Sequence, residues 1–132
     1  MATNKLQIVE SYLKGVSPPI MLSPLAEKLG LEVYKVDGWD NDISGKIVKD
    51  EDKGGSSGYA IYVNAKHGLN RRRFTIAHEI AHYVLHQPLI GDGILDDALY
   101  RSGLNHHIEI EANQLAADIL MPWNYIREKL RL

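Results

Sequence analysis

Five consecutive residues, His78-Glu79-Ile80-Ala81-His82, restrict this chain more than any other feature. Residues four apart in an α-helix stand one turn above each other on one face. On a helix, His78 and His82 therefore aim two imidazoles at one point, as two legs of a tetrahedral zinc site do. Glu79 is rotated by about 100° from His78, beside that point rather than on it. A carboxylate there can take a proton from water without being a ligand itself. So short a pattern can arise by chance, and two helical histidines can be ordinary residues. The flanking sequence argues otherwise. Phe74, Ile76, Ala77, Ile80, Ala81, Val84 and Leu85 form a helix-like apolar pattern that no Pro or Gly interrupts until Pro88. The motif is thus expected on a mostly buried, central helix, with Ala77 and Ala81 inside.

Composition sets what can complete such a site. The chain has 132 residues, suited to a single domain spanning 1–132 with one core. It has no cysteine, which excludes disulfides, thiolate zinc ligands and cysteine nucleophiles. Any metal must be held by histidine and carboxylate. The formal net charge of −2 gives no electrostatic case for direct nucleic-acid binding. The N-terminal stretch lacks the apolar run of a signal peptide, and no segment is long and apolar enough to span a membrane. The expected location is the cytoplasm.

Around the motif, the chain reads as a mixture of helices and strands. Residues 3–15 have Leu6, Val9 and Leu13 at helical spacing. Ser23-Pro24 resembles an N-cap with proline at the first helical position, and Gly30 stops that helix. Leu31 to Val36, Ile43 to Val48 and Gly58 to Asn64 are strand candidates, the last the strongest. Three closely spaced strands predict an α+β fold with a small three-stranded, mostly antiparallel sheet. The Gly58–Asn64 strand is a candidate sheet edge for pairing with an extended peptide. Asn70 is expected to cap the motif helix, and Arg71, Arg72 and Arg73 to form its solvated first turn, one of them paired to an acid. Residues 87–105 form a long acidic connection carrying Asp92, Asp96 and Asp97, with a short helix expected over Ile94–Arg101. A helix over 106–120 and a short one over Trp123–Leu130 complete the chain, the second opened by Pro122.

Three protein ligands and one open position make a catalytic zinc site, so a third ligand is needed. The candidates are Glu109, Glu111, His86, His106, His107 and the loop aspartates. On a helical wheel Ala112, Asn113, Ala116 and Leu120 fall within about 60° of Glu109, whereas Glu111 falls with Gln114 and Asp118 on the polar face. Ala112 and Ala116 would let this helix approach the motif helix closely. Glu109 is therefore the expected third ligand and Asn113 an expected hydrogen-bond partner of His78 or Glu109. His86 lies one turn past His82. Three ligands from one straight helix are hard to place around a tetrahedral ion, so His86 reads as a core or supporting histidine.

Together, RRFTIAHEIAH (Arg72–His82) and EIEANQLAADILMP (Glu109–Pro122), with the preceding strand GYAIYVN, resemble the ImmA/IrrE family of metallo-endopeptidases. The likeness spans roughly the last three-fifths of the chain. Leu115 stands where the familiar pattern often has Phe, an apolar exchange. That family is similar in its core to gluzincins, which use two histidines and one glutamate. The resemblance implies that His78, His82 and Glu109 bind Zn2+ and that Glu79 is the general base. It implies a cytoplasmic bacterial or prophage protein that cleaves or inactivates a helix-turn-helix repressor or an antitoxin.

The expected activity is zinc-assisted peptide hydrolysis. The oxyanion partner is open among His106, His107, Tyr100 and Arg101. The competing expectation is a non-catalytic regulatory module, in which zinc stabilises a domain that binds a repressor or toxin without cutting it.

Overall fold

The computed structural model describes residues 4–97 and 100–130. Helix α1 (Lys5–Lys14) is capped by Asn4, whose side chain accepts from the Gln7 amide at 2.9 Å. Helix α2 (Leu22–Lys28) begins one residue before Ser23, with Met21 at its N-cap. Pro24 is thus in the first turn, where its missing N–H leaves no intrahelical bond unmade. Gly30, at φ 76°, turns the chain directly into the first strand.

Strands β1 (Leu31–Val36), β2 (Ile43–Lys49) and β3 (Tyr59–Asn64) fall where the alternation predicts them. The expectation of a three-stranded, mostly antiparallel sheet is wrong, however. A fourth strand, β4 (Ile94–Asp97), lies where a short helix was expected. The order is β1-β3-β2-β4. Strands β2 and β3 are antiparallel, as are β2 and β4, but β1 runs parallel to β3, so the sheet is mixed. Strand β3 is consequently internal, and the edges are β1 and β4. The expected peptide-pairing edge at residues 58–64 is therefore already occupied on both sides.

Helix α3 (Leu69–Ile90) carries the motif and packs on β2, β3 and helix α4 (His106–Leu120). Ala77, Ile80 and Ala81 are wholly buried, as a central helix requires. Ala112 and Ala116 on α4 are also wholly buried; their small side chains allow the close approach of the two helices. The core joins Leu25, Ile47, Ile61, Ile80 and Ile119 from four kinds of layer contact: α2, the sheet, α3 and α4. The start of α3 differs from expectation. Its N-cap is Gly68, not Asn70, with no side-chain cap. Arg72 and Arg73 bond backbone carbonyls, those of His67 at 2.7 Å and Ile20 at 2.8 Å. A guanidinium can satisfy a loop carbonyl that has no backbone partner, which ties α3 to the segments before it. Helix α5 (Trp123–Leu130) follows Pro122 as expected.

Candidate metal centre

Three elements converge on one point. Helix α3 brings His78 and His82, one turn apart. Helix α4 brings Glu109 from its first turn. Strand β4 brings Asp96, the residue that periodicity did not single out. One ligand atom from each of the four lies within 4.8 Å of every other, and all four residues are buried. The Nε2 of His78 is 3.5 Å from Glu109 Oε1 and 3.5 Å from Asp96 Oδ2. The Nε2 of His82 is 2.7 Å from Glu109 Oε1 and 3.9 Å from Asp96 Oδ2. Ligands around a tetrahedral zinc stand about 3.3 Å apart when each bond is about 2.0–2.1 Å. The two separations from His78 are near that spacing, and of the two from His82 one is shorter and one longer.

The donor set fits a divalent cation on independent grounds. His78 Nε2, His82 Nε2 and both carboxylate oxygens of Asp96 and Glu109 are buried without an oriented hydrogen-bond partner. Buried polar groups are costly when unpaired, and buried carboxylates far more so. A cation at their centre would satisfy all of them together.

The opposite ring nitrogens are held from behind. His78 Nδ1 lies 2.8 Å from Asn113 Oδ1, so the helix-wheel expectation for Asn113 is met at His78. His82 Nδ1 lies 3.1 Å from His86 Nδ1, and His86 Nε2 lies 3.1 Å from Glu111 Oε1. His86 is thus a buried supporting histidine. Glu111, expected to point only to solvent, is half-exposed and reaches His86.

Electrostatics reflect the crowding of charge. Burial works against the charged His78 ring, but the Asp96 and Glu109 carboxylates beside it prevail and raise its pKa to about 9. Burial likewise opposes ionisation of Glu109, yet contact with His78 and His82 holds its carboxyl well below the usual carboxylate range. Glu79, fully buried, is pushed well above that range, first by desolvation and then by Asp96 and Glu109. Both its oxygens lack a hydrogen-bond partner. It is beside the cluster and not a member of it, as its position after His78 requires.

The sheet makes room for this carboxylate. A Cβ on Gly45 of β2 would stand 2.5 Å from Thr75 Cγ2 and 3.2 Å from Glu79 Oε2. Only a residue without a side chain lets β2 pass so close to α3. Next to it the pairing of β2 with β4 slips: Ile43 faces Asp97 and Gly45 faces Asp96, leaving Ser44 as the extra residue of a bulge. Bulges re-aim the side chains around them, and the residue opposite this one is Asp96.

Of the four oxyanion candidates, Tyr100 alone packs on the cluster, with its ring 5.1 Å from that of His78. Its hydroxyl is 3.1 Å from Thr75 Oγ1. Arg101 is exposed and paired with Asp97 at 3.0 Å. His106 and His107 are exposed at the start of α4, with His107 3.8 Å from Glu111.

Residues 26–131 match the family model described as the IrrE N-terminal-like domain, a peptidase family. The chain belongs to this family. No curated protein matches it at the sequence level. The IrrE-like domain spans every residue of the cluster, so the peptidase fold and the buried His–His–Asp–Glu group are one unit. This is the arrangement of an HExxH metallopeptidase, suited to metal-activated hydrolysis of a protein substrate. Among the described residues no helix is long and apolar enough to cross a membrane.

Proposed function

We propose that this IrrE-like domain is a zinc endopeptidase in which His78, His82 and Glu109 hold the ion and Glu79 is the general base. The observation that carries this reading is the set of buried, unpartnered atoms of His78, His82, Asp96 and Glu109 around one point. Zinc is preferred because two imidazoles and a carboxylate suit it. When bound, zinc supplies Lewis acidity, which brings the pKa of water towards neutrality and polarises a peptide carbonyl.

The chain's own residues do the rest. Asn113 and His86 stand against the outer nitrogens of the two histidines and hold both rings with Nε2 facing the cluster. Glu79 accepts the proton of the attacking water at its carboxylate and passes it to the leaving amine. Its raised pKa suits it to carry that proton, and a cation among the carboxylates would lower it again. The sheet edge beside the cluster is β4, so an extended substrate segment would lie along β4 rather than β3. At Asp97 that edge is closed, because the Asp97 amide donates to the Arg101 carbonyl at 2.9 Å.

The substrate is proposed to be a helix-turn-helix repressor or an antitoxin-like protein, met in the cytoplasm, on the strength of the family likeness. The test is turnover. Purified zinc-loaded protein, at one-tenth the amount of a candidate repressor, should convert all of it to defined fragments. Stoichiometric capture without fragments would favour the non-catalytic regulatory module instead.

A further inference from the structure

The metal reading uses His78, His82 and Glu109 and leaves the fourth member of the cluster, Asp96, without a role. Its position is specific. Asp96 Oδ2 stands 3.5 Å from His78 Nε2 and 3.9 Å from His82 Nε2, and the ligand atoms of Asp96 and Glu109 lie within 4.8 Å of each other. Ligands of one tetrahedral zinc are about 3.3 Å apart, so the Asp96 carboxylate is close enough to both imidazoles to share an ion with them. It is wholly buried, and neither of its oxygens has a hydrogen-bond partner among the described residues. Asp96 is also the charged neighbour that acts most strongly on Glu79. It is thus next to both the histidine nitrogens and the general base. The attacking water needs that same place, on the ion and in reach of Glu79.

We propose that Asp96 is a fourth, displaceable metal ligand that closes the centre until a substrate engages β4. The inference deepens the zinc reading and rests on it. Two imidazoles and two carboxylates make four protein ligands, the count of a structural zinc site; a catalytic site keeps one position open. One of the four must then give way, and the fold marks which. His78, His82 and Glu109 stand on α3 and α4, helices whose contact faces carry the wholly buried Ala81, Ala112 and Ala116. Asp96 stands on β4, a four-residue strand at the sheet edge, paired among the described strands with β2 alone and across a bulge. Shifting so short an edge strand breaks few ladder bonds, whereas moving either helix opens the core. The free side of β4 is also the edge offered to an extended substrate. The strand that shuts the centre is therefore the one a substrate binds. Pairing with substrate draws Asp96 aside as the peptide carbonyl arrives, and without substrate no water is held for attack.

The experiment loads the unmodified chain, Asp96→Asn and Asp96→Ala with Co2+, whose EPR spectrum reports coordination. In 17O-enriched water the lines of the unmodified protein should stay sharp, because no water is bound, and those of both variants should broaden. Each variant should still take up one Co2+ per chain. Acetohydroxamate is a small chelating probe that cannot pair along β4. It should bind the variants at least about tenfold more tightly, the factor expected when the open form is about a tenth or less of the unmodified population. Melting of the metal-free proteins reports folding, and the spectrum of the unmodified protein tests the proposal even where a variant does not fold. Broadened lines in the unmodified protein would overturn the proposal. So would equal acetohydroxamate affinities, or loss of Co2+ from folded Asp96→Asn. Those results leave the zinc reading standing; failure of the unmodified protein to bind Co2+ at all would overturn both.

Discussion

Asn113 Oδ1 and His78 Nδ1 meet at 2.8 Å across the packed faces of α3 and α4. The contact joins the two helices and also sets the ring that faces the cluster. A metal-ligating histidine held in this way binds better because its tautomer and orientation are fixed. Asn113→Ala should therefore weaken zinc about 10–100-fold. Asn113→Asp, which keeps the acceptor oxygen, should restore most of the loss. Chelator competition on the three proteins measures it, and equal affinities would remove Asn113 from the site.

Two carboxylates compete for the third ligand position. Glu109 is nearer to His82 Nε2, at 2.7 Å, than Asp96 is, at 3.9 Å. Glu109→Ala should lose stoichiometric zinc, and Asp96→Asn should retain it. Asp96→Asn should also lower the Glu79 pKa, because Asp96 is the first charge acting to raise it after burial. The acid limb of the activity profile would then move to lower pH. Metal analysis of both variants decides the ligand; the reverse pattern would transfer the role to Asp96.

Gly45→Ala tests how tightly the sheet is fitted to the site. The added methyl would meet Thr75 and the Tyr62 carbonyl, at 2.5 and 3.0 Å, before it reaches Glu79. Overpacking of this kind costs about 1–3 kcal/mol. Denaturant unfolding should show that loss, and hydrolysis should fall further than stability alone explains, since Glu79 is displaced. A variant as stable and active as the unmodified protein would contradict the close approach of β2 to α3.

Much of this site could be read from the sequence because its parts repeat with a helical period. His78 and His82 share a face by spacing alone. Glu109 and Asn113 fall with Ala112 and Ala116, whose small size marks a helix contact. Strand β4 offered no comparable signal. Four residues are too few for a period of two to be distinguished from chance, and Ile94, Leu95, Asp96 and Asp97 mix apolar and acidic types. The pattern that could have revealed it is Ile94 and Asp96 both buried around an exposed Leu95. Without β4, neither Asp96 nor the outer edge of the sheet could be assigned. The parallel pairing of β1 with β3 was hidden for a different reason. Strand direction depends on partners distant in sequence, whereas alternation reports only which face is buried. The kink at His86 arises from Pro88, but sequence alone did not tell which residue would absorb it.

The metal-free protein should lose stability as pH rises. Folding raises the His78 pKa from 6.5 to about 9. The stabilisation from its charged form is complete below pH 6.5 and is lost as pH climbs through about 9. Glu79 is also raised, so its contribution falls with rising pH in the same sense. Glu109 is lowered and acts oppositely: its contribution is present above the ordinary carboxylate value and is lost in acid. Denaturant unfolding with chelator present should show a decline between neutral pH and pH 9, which His78→Gln should flatten. With zinc bound, the metal replaces the proton, and binding should strengthen over the same range. Metal-free stability that increases towards pH 9 would contradict the arrangement of charges around His78.

The central claim is that Glu79 moves a proton and does not hold the metal. It lies beside the cluster, buried, with both oxygens unpartnered. Glu79→Gln preserves its size and its hydrogen-bonding capacity but cannot accept the proton of water. The decisive measurement is cleavage of a protein substrate by Glu79→Gln, with zinc content determined on the same sample. The variant should hold one zinc per chain, as the unmodified protein does, and hydrolyse at least about a hundredfold more slowly. Full zinc content with undiminished cleavage would contradict the role of Glu79, and loss of zinc would make it a ligand instead.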